Sequence, residues 1–505
     1  MNSSVLRGSG KFSSNPKPKA KTLTTRLLQN SYLPSQRPAA DELPPIFNSK
    51  TFSSKVAAEI RPLTSKIGFD AVEYRLTRAD GQIRACHIPH PAAYSNLVFT
   101  IEEHWSKIPN IFDNHRSYIR PRLHSDGRLI VMKYDAWLTK TLRSLKWKMN
   151  AKYVAHADVA NFFPSVYTHS ISWALVGTQE AKGSNRRKWF DDIDKAYQRT
   201  KRGETNGVLI GPATSNFATE IILGKIDEEL GRKHYRFYRH VDDYRCYCED
   251  REKAEAFLAD LSRQLSKYKL VLNSRKSGVL ALPAPDAEPW VMELRRISKT
   301  IGKKPKSGEI SYFLNQVTQI AESYGQRNAY KYAASVLKNK RMSQNSKVTT
   351  FTHLLGLSQF SPNLISQLIK FLPNSSHCRE HEIGGAIVDH LKETIRFRRS
   401  DSTAWLLYLA HRSGGKISDE IVDEIVAQED CIPLLIVFAI GDDRQKSKVV
   451  KFAKQVISLP DPYDAHSHWL LIYELFRVGA LKKCGKDQEC FKIMQKHKVG
   501  FCTLL

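Results

Sequence analysis

The stretch Tyr238–Tyr247 reads YRHVDDYRCY. Two adjacent carboxylates, Asp242 and Asp243, lie between runs of aromatic and β-branched residues. Such flanks read as half-buried strands, and a strand interior is a poor place for two charges that repel each other. A hairpin with its bend at the Asp pair resolves the conflict. The bend is then either a solvated turn or a place where a cation offsets both charges. About eighty residues upstream, YVAHADVANFFPS sets Asp158 at the end of a second strand-like run. In an antiparallel sheet a strand end and a hairpin bend can be neighbours.

Two or three carboxylates meeting there would suit one or two Mg²⁺ ions, which prefer oxygen ligands and keep waters and phosphates as the rest of their shell. Two such ions about 4 Å apart activate a hydroxyl and stabilise a leaving pyrophosphate. Charge narrows the partners. The 505 residues carry 78 Lys+Arg against 51 Asp+Glu, a net +27. A chain this basic repels itself without a polyanion, so nucleic acid leads and an acidic membrane surface follows. A membrane span is not expected. The longest apolar run, Cys431–Ile440, contains Pro433 and is about half of the ~20 residues a spanning helix needs. The eight cysteines are scattered without a Cys-x-x-Cys pair, which points to free thiols in a reducing cytoplasm.

Residues 1–50 begin as a basic stretch with no acid before Asp41, which reads as a largely disordered arm. Residues 51–285 read as globular α+β. SYIRPRLHSDGRLIVMKY predicts a basic hairpin with arms Tyr118–His124 and Arg128–Tyr134 and Asp126-Gly127 in its turn. From Tyr153 the order is strand, helix, helix, hairpin, helix (Glu252–Tyr268) and strand (Leu270–Asn273). A Pro-rich linker covers 286–300. Residues 301–505 have helical period, with AWLLYLAHR and HWLLIYELFR alike enough to suggest stacked helical pairs.

ADVANFFPSVYTHSISWAL, NGVLIGPATSNFATEIILGKID, YRHVDDYRCYC and LVLNSRKSGVL follow one another in the order and spacing of motifs A, B, C and D of reverse transcriptases. FFPSVYTHSISWAL and IGPATS narrow the likeness: the chain resembles the bacterial abortive-infection and defence-associated reverse transcriptases, relatives of retron and group II intron enzymes. The likeness spans about residues 80–285. It implies fingers and a ferredoxin-like palm sheet with helices, then an all-α, helical-repeat-like C-terminal domain.

The resemblance also implies roles. Asp158, Val159, Asp242 and Asp243 would hold two Mg²⁺ ions, with Mn²⁺ as a substitute. Lys276 would be the motif D lysine that protonates or neutralises the leaving pyrophosphate. Phe163 would be the ring beneath the incoming sugar, leaving no room for a 2′-hydroxyl; its alternative is a core phenylalanine. Gly211 and Pro212 match the motif B turn, although Ile210 stands where the family has Gln. Arg120, Arg122, Arg128 and Lys133 are candidates to clamp the triphosphate. His240 replaces the usual aromatic at the start of the motif C tetrad.

The implied activity is two-metal addition of dNTPs, RNA-directed or template-independent, in anti-phage defence. A noncoding RNA as template or scaffold, a cDNA product, protein priming, a homo-oligomer and a bacterial cytoplasmic location go with it. The competing reading is an RNA-binding scaffold or maturase-like protein with a non-catalytic polymerase domain; the presence of all three aspartates favours catalysis.

Overall fold

The computed structural model describes residues 15–35, 42–132, 137–183, 188–285 and 287–505. It divides into two compact units, each built from separated stretches of chain.

The first unit comprises residues up to 32, 53–69 and 91–284. At its centre is a four-stranded sheet. In chain order its elements are β1 (Tyr153–Asp158), α1 (Ala213–Arg232), β2 (Phe237–His240), β3 (Asp243–Cys248), α2 (Arg251–Lys267) and β4 (Gly278–Ala281). The sheet order is β2-β3-β1-β4, antiparallel throughout. That βαββαβ order is the ferredoxin-like arrangement. Alternation gives the sheet two faces. Phe237, Tyr244 and Cys246 are buried on the face that α2 covers, where the Phe237 and Phe257 rings lie 5.7 Å apart. On the other face Val154, Tyr238 and Tyr247 form a cluster with Tyr118, Trp147 and Leu282.

The closing strand differs from expectation. Leu270–Asn273 contributes a single bridge, Val159 to Leu272, and β4 is the strand that pairs with β1. The cause is local. The Asn273 N–H donates to the Asp158 carbonyl at 2.7 Å, and the chain then turns through a 3₁₀ segment, Ser274–Lys276, before resuming as a strand.

The basic arm also departs from expectation, because Ala20–Asn30 is a helix with Leu23, Leu27 and Leu28 buried. The Tyr94 hydroxyl donates to the Leu27 carbonyl at 3.0 Å. Apolar burial at i, i+4 and i+5 anchors one face of the helix and leaves the cations outside. Arg7 and Lys11 of the arm lie outside the described residues.

The second unit comprises 33–52, 70–90 and 285–505. A hairpin, Ala71–Thr77 with Ile83–Pro89, packs on helices. The Thr77 N–H and hydroxyl both donate to Asp401 at 2.8 Å, and Arg75 reaches Asp430 at 3.1 Å. Helices fill the rest from Pro289–Ser298, inside the expected linker, to Gln488–Lys496. Trp405 and Trp469 are core residues, and the Trp469 indole donates to the Ile88 carbonyl at 3.1 Å. Among the described residues no helix is long and apolar enough to cross a membrane.

Candidate active site

Strand register builds the site. β1 and β3 pair antiparallel with Tyr153 opposite Cys248, so Asp158 at the end of β1 falls opposite Asp243 at the start of β3. Asp242 occupies the two-residue turn between β2 and β3, with Val241 before it. His240 closes the turn as the register partner of Asp243.

The Asp158–Asp243 pair is only partly compensated. Burial raises the Asp243 carboxyl above its ordinary value; Arg245 opposes the shift and Asp158 adds to it. Asp158 is held from several directions. Its carboxylate Oδ2 accepts from Asn273 Nδ2 at 3.1 Å, with Lys276 Nζ 3.7 Å away. Its backbone N–H donates to the Ser277 hydroxyl at 3.2 Å. Lys276 is exposed over two-thirds of its side chain, so it is mobile enough to meet a ligand. Asn273 and Ser277 were not among the expected site residues, although both lie in the stretch LNSRKS that marks Lys276.

Oxygen donors on two adjoining carboxylates suit a hard divalent cation, and the raised Asp243 marks a place where added positive charge is stabilising. Val159 is buried and apolar, so only its backbone carbonyl could serve as a ligand. Among the described residues no three His, Cys, Asp or Glu side chains gather closely enough to hold a metal ion. The structure thus brings Asp158 and Asp243 together and sets Asp242 on the neighbouring turn.

Beneath that turn lies a network the sequence reading missed. Arg239 is fully buried. Its Nη1 and Nη2 donate to the two oxygens of Glu220 at 2.8 Å, and its Nε donates to Asp227 at 2.8 Å. Glu220 and Asp227 are seven residues apart on α1 and so share a helix face. Ser117 donates to Glu220 at 3.0 Å, and the Tyr244 hydroxyl donates to Asp227 at 3.1 Å. Burial opposes the guanidinium charge, but Asp227 and Glu220 outweigh it and hold the Arg239 pKa well above its ordinary value.

Arg239 has one further bond: Nη1 donates to the Val241 carbonyl at 2.8 Å. Val241 has φ +56°, a left-handed conformation that is a genuine outlier for a β-branched residue. Such strain costs about 1–3 kcal/mol and persists only where the surroundings over-determine it. The buried arginine is that determinant, and it fixes the backbone between His240 and Asp242. The only sequence signal was an arginine at an inward-facing strand position.

The other expected residues divide. Phe163 is buried in the short helix Phe162–Ser165, and its carbonyl accepts the Val208 N–H at 3.0 Å, tying it to the segment that leads to Gly211. Gly211 has φ +138°, and Pro212 caps the start of α1. The Ser215 hydroxyl donates to the Leu209 carbonyl, and the Ala213 N–H donates to the Ser31 carbonyl at 2.9 Å. The arm therefore pins the motif B helix.

The basic hairpin forms as a loop closed by Arg122 N–H to Leu129 carbonyl (2.8 Å) and His124 N–H to Arg128 carbonyl (3.2 Å), without a strand ladder among the described residues. Gly127 in its turn has φ +89°, and a Cβ there would strike the Asn30 side chain. Arg120 does not fit its expected role as a triphosphate clamp. It is buried, donating to the carbonyls of Phe112 (2.9 Å), Ser117 (3.0 Å) and Asn114 (3.2 Å), so its guanidinium holds the loop instead. Arg128 pairs with Asp126 at 2.7 Å within the turn. Arg122 is exposed, and Lys133 lies outside the described residues. His240 packs its ring 5.0 Å from Tyr118 and 5.7 Å from Tyr238, as one member of the aromatic cluster.

Residues 97–318 match the family described as reverse transcriptase (RNA-dependent DNA polymerase). Residues 97–318 thus match a reverse transcriptase domain, which supports an RNA-directed DNA polymerase. Among solved structures it is similar to a telomerase from Candida albicans, solved with a fragment of telomeric RNA. That match has 10% identity, covers 79% of this chain and 68% of the other, and has a TM-score of 0.29. No curated protein matches the chain.

Proposed function

We propose that the protein extends a nucleic-acid or protein hydroxyl with dNTPs at the Asp158–Asp243 end of the palm sheet. The observation that carries this reading is the register that sets the two aspartates opposite each other inside a reverse transcriptase domain. Reverse transcriptase domains use divalent metal ions. Here Asp158, the Val159 carbonyl, Asp242 and Asp243 would hold two Mg²⁺, or Mn²⁺ in their place. When bound, the ions would supply activation of the attacking hydroxyl and charge stabilisation at the leaving pyrophosphate.

The chain's own residues do the rest. Arg239 holds the turn that presents Asp242. Asn273 fixes one oxygen of Asp158 and leaves the other to a ligand. Lys276, exposed beside Asp158, supplies a proton or a positive charge to the leaving group. Phe163 excludes a ribose 2′-hydroxyl, and the bare backbone of Gly211 admits the nascent pair. Arg122, Arg128 and Lys133 are the cations left for the triphosphate. The motif likeness supports a role in anti-phage defence in a bacterial cytoplasm, as a homo-oligomer using a noncoding RNA or protein priming.

The test is incubation of the purified protein, with its co-purifying nucleic acid, with each dNTP and Mg²⁺. Products are then sequenced and their protease sensitivity scored. Synthesis by wild type and none by Asp242→Ala/Asp243→Ala is the expected result. No synthesis by wild type favours a non-catalytic scaffold, and equal synthesis by both removes the chemistry from these aspartates. Preference for NTPs removes the role given to Phe163, and DNA that leaves the phenol layer only after protease indicates protein priming.

A further inference from the structure

Within the second unit two basic loops meet. Between Lys299 and Lys347 the chain carries ten Lys or Arg and only two Glu, Glu309 and Glu322. Seven of the cations fall in two short segments, Lys299–Lys306 and Lys338–Arg341. Folding joins them. The Arg341 N–H donates to the Lys303 carbonyl at 3.0 Å, Lys340 Nζ to the Ile301 carbonyl at 2.8 Å, and the Ser346 hydroxyl to the Pro305 carbonyl at 2.9 Å. Between the loops is an open cavity of about 650 Å³ lined by Lys304, Lys306, Ser307, Gly308, Arg341 and Ser343.

Little of this charge is paired. Lys303, Lys304, Lys306 and Arg341 are exposed, and among the described residues none of them makes an ion pair with a carboxylate. Neither loop contains an acid, and Glu309, in the first turn of the helix that follows, accepts the Lys306 N–H at 2.7 Å. Exposed cations on both loops are open to a polyanion. Two hydrogen bonds between the loops, and a third from Ser346 in the following helix, hold them where one anion can span both.

We propose that the 299–306 and 338–341 loops form a binding site for the phosphodiester backbone of a nucleic-acid strand, outside the polymerase site. Three features select a backbone over a small anion. The cations extend along two loops, the cavity exceeds what one phosphate fills, and flexible lysines dominate over forked arginines. That composition suits sequence-independent contacts to successive phosphates, which position a strand without reading it. The strand itself is identified through the polymerase reading, on which the proposal rests.

The test uses the full chain and a 5′-labelled single-stranded RNA of about thirty nucleotides, with affinity measured across a salt series. Each phosphate contact on a single strand contributes about 0.7 to the slope of log affinity against log salt. Lys304→Glu/Lys306→Glu/Arg341→Glu is expected to lower that slope by about 2 and to weaken binding at least about tenfold near physiological salt. Lys304→Arg/Lys306→Arg/Arg341→Lys should keep the wild-type slope. All three residues are exposed, so thermal unfolding should be unchanged in both variants. A triple-Glu variant with the wild-type slope overturns the proposal, as does loss of binding to anionic vesicles with RNA binding intact. The polymerase reading is separated by Asp158→Asn, which should bind RNA normally while making no product. If wild type itself fails to bind RNA, the backbone site is overturned whatever the outcome of the synthesis assay.

Discussion

Two clusters of charge lie a few residues apart on the palm sheet and meet opposite fates. In the Arg239 cluster every charge is answered: the guanidinium is fully buried and grips Glu220 through both oxygens and Asp227 through one. In the Asp158–Asp243 pair the cation beside Asp158, Lys276, is exposed and 3.7 Å away, and burial has pushed the Asp243 carboxyl up despite Arg245. A satisfied buried network fixes a conformation. An under-compensated pair at a strand end is poised for a ligand. The contrast assigns the first to architecture and the second to chemistry, although both are built from the same residue types.

The contrast breaks most visibly at Asp158. Asp158→Ala is expected to lower nucleotide incorporation by more than about 100-fold, beyond the 10–100-fold typical of residues that merely support a metal ligand. Arg239→Ala should act on the fold first. Leaving Glu220 and Asp227 buried without their partner costs about 3–5 kcal/mol, read as a lowered urea midpoint. Asn273→Ala, which frees one Asp158 oxygen, should cost about 10–100-fold in activity with little change in stability.

The smallest effect concerns pH. The folded Asp243 carboxyl titrates above its unfolded value, so its stabilising contribution is present at low pH and is lost as pH rises through the folded pKa. Asp243→Asn should therefore raise stability at neutral pH in the absence of divalent ions and flatten the pH profile. Adding Mg²⁺ should stabilise wild type and not the variant, as differential scanning fluorimetry would read.

The two clusters also differ in how far the sequence exposes them. Asp158, Asp242 and Asp243 are conspicuous because carboxylates interrupt strand-like alternation, and the hairpin bend falls where that pattern sets it. Arg239 is inconspicuous, because its partners lie nineteen and twelve residues earlier on a helix and only folding brings them together. Arg120 shows the same limit in reverse: a cation in a basic hairpin looks available to a phosphate, yet carbonyls of its own loop take it inward. The helix at Ala20–Asn30 was legible in Leu23, Leu27 and Leu28 but was masked by the charge composition of the arm around it. The hairpin Ala71–Thr77/Ile83–Pro89 joins the helical unit through long-range contacts to Asp401 and Asp430 that no local pattern announces.

The most direct test of the division of labour is Asp158→Asn, assayed for Mg²⁺-dependent dNTP incorporation and for unfolding in the same preparation. The account predicts loss of incorporation with the unfolding midpoint unchanged or raised, since one of two adjoining charges is removed. Retained incorporation would contradict it, and so would a collapse in stability like that expected of Arg239→Ala.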